Sequence, residues 1–564
     1  MTAAHFAHWP PGLPHRLALP ERHLFAQLAD AAALSPDKPC IVFHDNPLSY
    51  RDFVQQAERL AGFLQHDCGV RAGDRVLLDL QNSPQWALAF FAILRADAVV
   101  VPVNPMNRCA ELRHYATDSG ARVAFVAQDL LSEALPLLQA EADAGAGAAA
   151  LRQLVIATYS DLLPGPSASP LPEAIAAPRA VPDLPGVTPW AVALERSRTP
   201  GAMTAGPDDL AVMPYTSGTT GVPRGCMHTH RSMTAALVAG VRWFDRGPDD
   251  VFLSTLPYFH VTGLTGSLCG PLTAGATVVM LSRWDRDAAA MAIPRYRVSC
   301  WQAISTMVID FLASPTLDQA DLSSLRVLRG GGAAMPAAVA ALLERRTGLA
   351  YVEGYGMSET MAATHINPPQ RPKPQCLGIP LFDVAARIVD PVTLVPLPAG
   401  ETGEIVVRAP QLMQGYWNNP AATDAVFVDI DGRRFLRTGD LARVDDDGYF
   451  FMVDRLKRMV NASGFKVWPA EVESALYHHP AVLEACVIGA DDARRGETVK
   501  ALVVLRPVFA GRTTEQQIID WAREQMAVYK SPRIVEFVPS LPRSGTGKVM
   551  WRELQEQQNR RDER

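Results

Sequence analysis

Residues 214–226 read Pro214-Tyr-Thr-Ser-Gly-Thr-Thr-Gly-Val-Pro-Arg-Gly-Cys226. Hydroxyls at Thr216, Ser217, Thr219 and Thr220 crowd against glycines at Gly218, Gly221 and Gly225. Glycine lets a backbone turn tightly and aim successive N–H groups at one point, the geometry of an anion cradle. The hydroxyls add O–H donors, and Arg224 supplies a planar cationic fork suited to phosphate oxygens. No Gly-Lys-Ser/Thr closes the loop, which disfavours a P-loop kinase or ATPase. By composition alone the stretch reads equally as a solvated turn, so its company elsewhere in the chain has to decide.

Four further stretches supply that company. GYGMSET (Gly354–Thr360) sets Tyr355, able to stack on a base, four residues before Glu359, a carboxylate able to hold Mg2+ against phosphate oxygens. TGD (Thr438–Asp440) offers an acid to which ribose hydroxyls can donate. DRLKRMVNASGFKVWPAEVE (Asp454–Glu473) runs from basic residues through a glycine turn into a helix start. PRSGTGKVMWRE (Pro542–Glu553) places Lys548 on a glycine-rich turn. Taken singly each has a plain reading: Glu359 as a surface acid, Asp440 as a turn former, Lys548 as a solvated lysine.

Around these stretches the chain alternates strand and helix. Helical HLFAQLADAAALSP, strand CIVFH, helix DFVQQAERLAGFLQH, strand RVLLDL and the all-apolar helix near Trp86–Leu94 follow one another. VVVPV is nearly all β-branched, as a strand buried on both faces should be. The rhythm resumes at VFLSTLP, ATVVMLS and LRVLRGGG, and predicts a parallel sheet with covering helices. Residues 383–453 shift to short alternating strands joined by Asp-Gly turns. At 564 residues the chain exceeds one core. The expected fold is α/β: a large N-terminal lobe of mixed and parallel sheets with covering helices plus a small β-rich unit, residues 1–454, and an α+β C-terminal domain, residues 455–564. Residues 142–207, rich in Ala, Gly and Pro, read as a surface excursion.

The formal net charge of -6 argues against a nucleic-acid partner. Eight cysteines without a Cys-x-x-Cys pair read as reduced thiols. No basic segment followed by an apolar one opens the chain, and the run Trp86–Leu94 is too short to span a bilayer. A cytoplasmic protein without a transmembrane segment is expected, with peripheral membrane contact left open.

Taken in order, YTSGTTGVPRG, PYFHVTG (Pro257–Gly263), RGGGAAM (Arg329–Met335), GYGMSET, TGD, DRLKRMVNASGFKV and SGTGK give the chain a clear family likeness. It resembles the adenylate-forming superfamily, and within it the acyl-CoA synthetases. The motifs span 214 to 548, and residues 25–125 also look like that family's N-terminal lobe.

The resemblance implies a two-step ligase. A carboxylate attacks the α-phosphorus of ATP, pyrophosphate leaves, and coenzyme A then takes the acyl group from the adenylate as AMP departs. It implies that Thr216, Ser217, Gly218, Thr219, Thr220, Gly221, Arg224 and Gly225 wrap the β- and γ-phosphates. Gly331, Gly332, Ala333 and Tyr355 would form the adenine slot. Ser358 would touch the α-phosphate, Glu359 the magnesium, and Asp440 with Arg455 the ribose. Lys548 would bridge attacking carboxylate and α-phosphate. The C-terminal domain would turn about a hinge at Lys457, bringing Gly464 to the pantetheine channel. His260 would stand where acyl and CoA channels meet. An amino-acid substrate would need an aspartate there to pair with its ammonium.

Leu264, Ala303, Met307, Gly330, Met357 and His365 are the expected acyl-pocket residues, mostly small or apolar. A medium- or long-chain fatty acid is the expected small-molecule partner, within a homodimer. Three alternatives stay open: an aryl-acid CoA ligase, a free-standing enzyme loading a carrier protein, and a non-catalytic nucleotide-binding protein on the same fold. Two positions depart from the family pattern. Arg224 replaces the usual lysine, and Asp97 stands in a segment usually rich in alanine or glycine, where it reads as structural.

Overall fold

The computed structural model describes residues 4–139, 151–167, 170–216, 223–332, 334–462, 465–492, 496–543 and 549–562. The chain divides into two compact units. The larger comprises His8–Ala385 with Arg408–Phe427; the smaller comprises Met1–Ala7, Ala386–Val407 and Val428–Arg564. The cut expected at 454/455 falls within the smaller unit. The α/β class and the division into a large mixed-sheet lobe and a smaller α+β part agree with the sequence reading.

Two sheets build the larger unit. In a seven-stranded sheet, strands Arg75–Asp79, Val99–Pro102 and Val123–Ala127 run parallel at the centre. Val99–Pro102 is buried at every position, as its β-branched run requires. The adjoining helix Pro84–Arg95 starts on a Ser83 cap, whose side chain accepts from the Trp86 N–H, with Pro84 in the first turn. It is buried from Pro84 to Leu94, so its all-round apolar sequence makes a core helix. No helix among the described residues is long and apolar enough to cross a membrane.

Residues 142–207 contribute more than an excursion. Strands Gln153–Ala157 and Val187–Pro189 extend the seven-stranded sheet in parallel, and Leu154, Val155, Ile156 and Trp190 are core residues. Proline and glycine dominate the connections but not the two strands, so bulk composition concealed them. The segment returns through Thr204, whose N–H and hydroxyl both donate to Asp97 Oδ2 at 2.7 Å. Asp97 itself turns the chain with φ 57°, a conformation that aspartate tolerates better than most side chains. Its role is structural.

The nine-stranded sheet carries the motifs. Its central strands Pro39–Phe43, Thr277–Met280, Val251–Ser254, Cys300–Gln302, Val327–Gly331 and Tyr351–Met357 run parallel. Gly330 is a packing necessity here. A Cβ at this position would strike the Ala303 carbonyl and the Tyr351 hydroxyl, which are themselves hydrogen-bonded at 2.6 Å. Gly330→Ala therefore lowers stability by about 1–3 kcal/mol, the range for overpacking. Thermal unfolding checks this, and an unchanged midpoint would contradict the packing argument.

In the smaller unit, strands Gly403–Arg408, Arg433–Val444 and Phe450–Arg455 pair antiparallel. A second sheet joins Val482–Asp492 antiparallel to Gly496–Leu505, with Ile534–Phe537 parallel to the latter. Helices Pro469–Leu476 and Glu515–Gln525 close its core through Val472, Leu476, Ile518 and Ala522.

Candidate active site

Tyr215–Thr216 pairs antiparallel with Arg224–Gly225, which makes the base of a hairpin. Ser217, Gly218, Thr219, Thr220 and Gly221 lie outside the described residues. The base of the hairpin is held from several sides. The Tyr215 hydroxyl donates to Asp118 at 2.6 Å, and the Trp417 N–H donates to the Gly225 carbonyl at 2.8 Å. His114 Nε2 lies 3.0 Å from the Pro223 carbonyl. The Arg224 guanidinium sits 5.5 Å from the centre of the Tyr416 ring. The flat fork suits a ring face better than a lysine ammonium does, which gives the departure at 224 a physical partner.

Tyr416 leads directly to Glu359, since its hydroxyl donates to Glu359 Oε1 at 2.8 Å. Burial, and then the Glu359 charge, push the phenol well above its ordinary value, so it stays a donor. Glu359 is only 6% exposed, which rules out its reading as a surface acid. It occupies the short turn Ser358–Thr360, and its carbonyl accepts from the Met413 N–H at 2.9 Å. Burial pushes the His228 imidazole down to about 4, leaving it neutral at pH 7. Its Nε2–H donates to the Ser358 carbonyl at 2.8 Å. Beyond the turn, Met361 and Ala362 take φ of 44° and 78°. Such values are costly for non-glycine residues and concentrate where geometry is over-determined. Thr360 helps hold them, its hydroxyl bonding to the Ala362 carbonyl at 2.6 Å.

No group of three or more His, Cys, Asp and Glu that could hold a metal ion exists among the described residues. Glu359 thus offers a single carboxylate. That donor fits magnesium only together with phosphate oxygens and water, the usual manner of its binding at nucleotides.

Beside the turn, Gly331 and Gly354 face each other across parallel strands. A Cβ on Gly331 would strike the Gly354 carbonyl, so the pair stays bare and flat next to Tyr355. Gly332 follows with φ 86°, a value that favours glycine. Ala333 lies outside the described residues. A flat backbone surface flanked by a tyrosine ring is a shape that accepts a base.

PYFHVTG forms a tight loop between strand and helix. Asn82 grips it by accepting from the Tyr258 N–H at 2.9 Å and donating to the Leu256 carbonyl at 2.8 Å. Partly exposed His260 caps the next turn, its Nδ1 accepting from the Thr262 N–H at 3.3 Å. Leu264–Cys269 continues as a wide π-helical turn, a form frequent at functional sites. Of the expected pocket residues, Leu264, Ala303 and His365 are buried, while Met307, Gly330 and Met357 keep solvent access.

Helix His230–Trp243, this wide turn and the sheet meet around Arg329 and Gln302. Gly240, Gly266, Gln302 and Arg329 all keep partial solvent access on these inward faces. Gln302 and Arg329 are cross-strand neighbours. Arg329 donates to the carbonyls of Gly240 and Gly266 at 3.3 and 3.2 Å, and lies 4.8 Å from the Phe244 ring centre. Burial pushes its guanidinium down to about 10, which leaves it charged at neutral pH.

In the smaller unit, Asp440 and Arg455 are cross-strand partners, with Arg455 Nε 3.1 Å from Asp440 Oδ1. Asp440 is buried, and Gly439 before it turns with φ 70°. The Thr438 hydroxyl donates to the Ile405 carbonyl at 2.8 Å and accepts from the Asp440 N–H at 3.1 Å, stiffening the turn. Lys457 lies in the short turn Leu456–Arg458. Gly464 and Lys548 lie outside the described residues.

Comparison with known proteins places this geometry in a family. The model of the AMP-binding enzyme matches residues 28–417, and that of the AMP-binding enzyme C-terminal domain matches residues 471–548. The chain belongs to the AMP-binding enzyme family. It is an AMP-forming acid–thiol ligase that uses ATP and coenzyme A. The long-chain-fatty-acid–CoA ligase of Bacillus subtilis (strain 168) is 34% identical, over 98% of this chain and 97% of that protein. Feruloyl-CoA synthase of an Amycolatopsis species is 36% identical, over 92% and 96%. Among solved structures, ATP-bound MatB from Rhodopseudomonas palustris shares the fold at TM-score 0.82 with 29% identity, covering 95% of this chain and 99% of that one. The anthranilate CoA ligase AuaEII, in complex with anthranoyl-AMP, matches at TM-score 0.81 with 27% identity, covering 96% and 98%.

Within this AMP-binding enzyme the structure brings together Arg224 and Glu359 through Tyr416, Gly331 with Gly354 beside Tyr355, and Asp440 with Arg455. Tyr416, His228, Gln302 and Arg329 escape sequence reasoning. Tyr416 stands in QGYWNNP, far from the motif it serves. Arg329 opens the glycine motif RGGGAAM, and a charge entering an apolar strand is the signal that marks it.

Proposed function

We propose that the enzyme joins ATP to a compact, ring-bearing carboxylic acid, forming the acyl-adenylate before coenzyme A takes the acyl group. The hydroxyl-rich hairpin 216–225 would hold the β- and γ-phosphates, and Tyr355 with Gly331, Gly332 and Ala333 the adenine. Asp440 and Arg455 would hold the ribose. Ser358 would meet the α-phosphate. Glu359 would bind Mg2+, which supplies positive charge to the phosphates. Lys548 would neutralise charge between attacking carboxylate and α-phosphate, a step governed by alignment and electrostatics rather than by a protein nucleophile. His260 would line the junction of acyl and CoA channels. Residues 455–564 would turn about Lys457 and carry Gly464 to the pantetheine. Eight scattered cysteines without a Cys-x-x-Cys pair support a cytoplasmic setting.

The observation that carries the choice of acid is Arg329. Its guanidinium donates to Gly240 on helix His230–Trp243 and to Gly266 on the wide turn, with Gln302 beside it on the next strand. A long alkyl chain laid there would further desolvate a guanidinium that no carboxylate pairs with among the described residues, which is costly. A short, flat acid can end before those groups. The feruloyl and anthranilate relatives support this reading. A medium- or long-chain fatty acid is the second reading, favoured by the near full-length likeness to the Bacillus subtilis enzyme.

The test supplies Mg-ATP and acids from acetate to palmitate, with benzoates and cinnamates, with and without CoA. AMP and acyl-CoA are quantified. Benzoates or cinnamates are expected to exceed decanoate and palmitate in kcat/KM by about tenfold or more, the worth of one well-matched pocket contact. Palmitate as the best acid restores the fatty-acid reading. No acid-dependent AMP with any member overturns both.

A further inference from the structure

We propose that Arg329 and Gln302 read a hydroxyl on the end of the acid remote from the carboxylate being activated. This rests on the compact-acid reading above and names the chemistry of the far end.

The inference comes from hydrogen bonds left unmade. A guanidinium carries five N–H donors in a rigid fork. Arg329 spends two of them on neutral carbonyls, at 3.3 and 3.2 Å, both long for a charged donor. Gln302 Oε1 is enclosed and accepts from no donor among the described residues. An enclosed polar atom without a partner is destabilising, so such atoms usually serve a purpose. The two heads converge over one residue. A Cβ on Gly266 would strike the Gln302 amide oxygen and come within 3.0 Å of Arg329 Nη2. Glycine on this wide turn therefore leaves the room that the two heads occupy.

The pair presents donors and an acceptor side by side. A hydroxyl satisfies both at once, accepting from the guanidinium and donating to the amide oxygen. A carboxylate has no proton to give Gln302. A methoxy group accepts only, and an alkyl end does neither. A planar acid would offer such a hydroxyl at the ring edge opposite the carboxylate.

The experiment measures acid-dependent AMP formation by the full chain with cinnamate and its 4-hydroxy, 4-methoxy and 4-carboxy derivatives, and with decanoate and 10-hydroxydecanoate. The 4-hydroxy acid is expected to exceed cinnamate in kcat/KM by roughly a hundredfold or more, since a site built around a hydroxyl rejects the analogue that lacks it. The methoxy and carboxy acids fall short of the hydroxy acid. Arg329→Met and Gln302→Leu each bring the hydroxy-to-unsubstituted ratio toward one. Where Arg329→Met does not fold, Arg329→Lys keeps the charge without the fork and is expected to lower the same ratio by about tenfold.

A wild-type ratio near one in both series overturns the proposal, as does a ratio that survives both substitutions. A 4-carboxy acid that outperforms the 4-hydroxy acid overturns it in favour of an anion. Turnover of the decanoate pair without the cinnamates overturns the ring reading alone. The 10-hydroxydecanoate ratio and its response to Arg329→Met then still decide the role of the pair.

Discussion

Lys548→Ala is expected to lower acid-dependent pyrophosphate release by roughly 10²–10³-fold, the loss seen when one preorganised charge-stabilising donor is removed. The proposed role puts the ammonium between two anions that must approach each other, the carboxylate and the α-phosphate. In water that approach is screened; in a site that excludes water the repulsion is unscreened and the missing cation is felt in full. In transfer from added acyl-adenylate the CoA thiolate attacks the acyl carbon and AMP leaves, so no anion has to approach the α-phosphorus. That half-reaction is expected to suffer far less. Lys548→Arg keeps the charge but spreads it over a plane, so it should recover only part of the loss. ATP–pyrophosphate exchange measures the first half, and acyl-CoA formed from synthetic adenylate measures the second. Equal losses in both halves would sink the assignment.

The sequence made the architecture legible where local periodicity and burial agree. Pro84–Arg95 is apolar on every face, and Val99–Pro102 is β-branched along its length; both signals are local, and both elements sit where that chemistry requires. Strands Gln153–Ala157 and Val187–Pro189 were hidden because they are short and embedded in proline-rich text, and pairing with neighbours far along the chain makes them strands. The site divides in the same way. Motif residues declare themselves through glycine, hydroxyl and charge spacing. Their supports do not, because support is a property of three-dimensional proximity. Tyr416 is 57 positions from Glu359, and His228 is 130 from Ser358. No spacing rule links such pairs. Arg224 shows the intermediate case. Its charge is legible in the hairpin, while the ring on which it rests appears only once the chain folds.

Those supports make the second large effect separable into two contributions. Glu359→Gln keeps shape and keeps an oxygen for the Tyr416 hydroxyl, but removes the charge proposed to hold magnesium. Adenylation is expected to fall by roughly 10²–10³-fold, comparable to losing one preorganised electrostatic group. Tyr416→Phe leaves the charge and removes its donor. A hydrogen bond to a charged group contributes about 1.5–3 kcal/mol, so this variant should lose roughly tenfold to a hundredfold. If Tyr416 acts by aiming the carboxylate, the loss should appear as a raised magnesium requirement, and added magnesium should recover part of the rate. Glu359→Gln should stay low at every magnesium concentration. In the double variant the Tyr416 contribution should nearly vanish, because an aimed group that is already disabled has nothing left to lose. Fully additive losses, or a Glu359→Gln enzyme with near-normal adenylation, would mean that the buried carboxylate serves packing and that magnesium is held elsewhere.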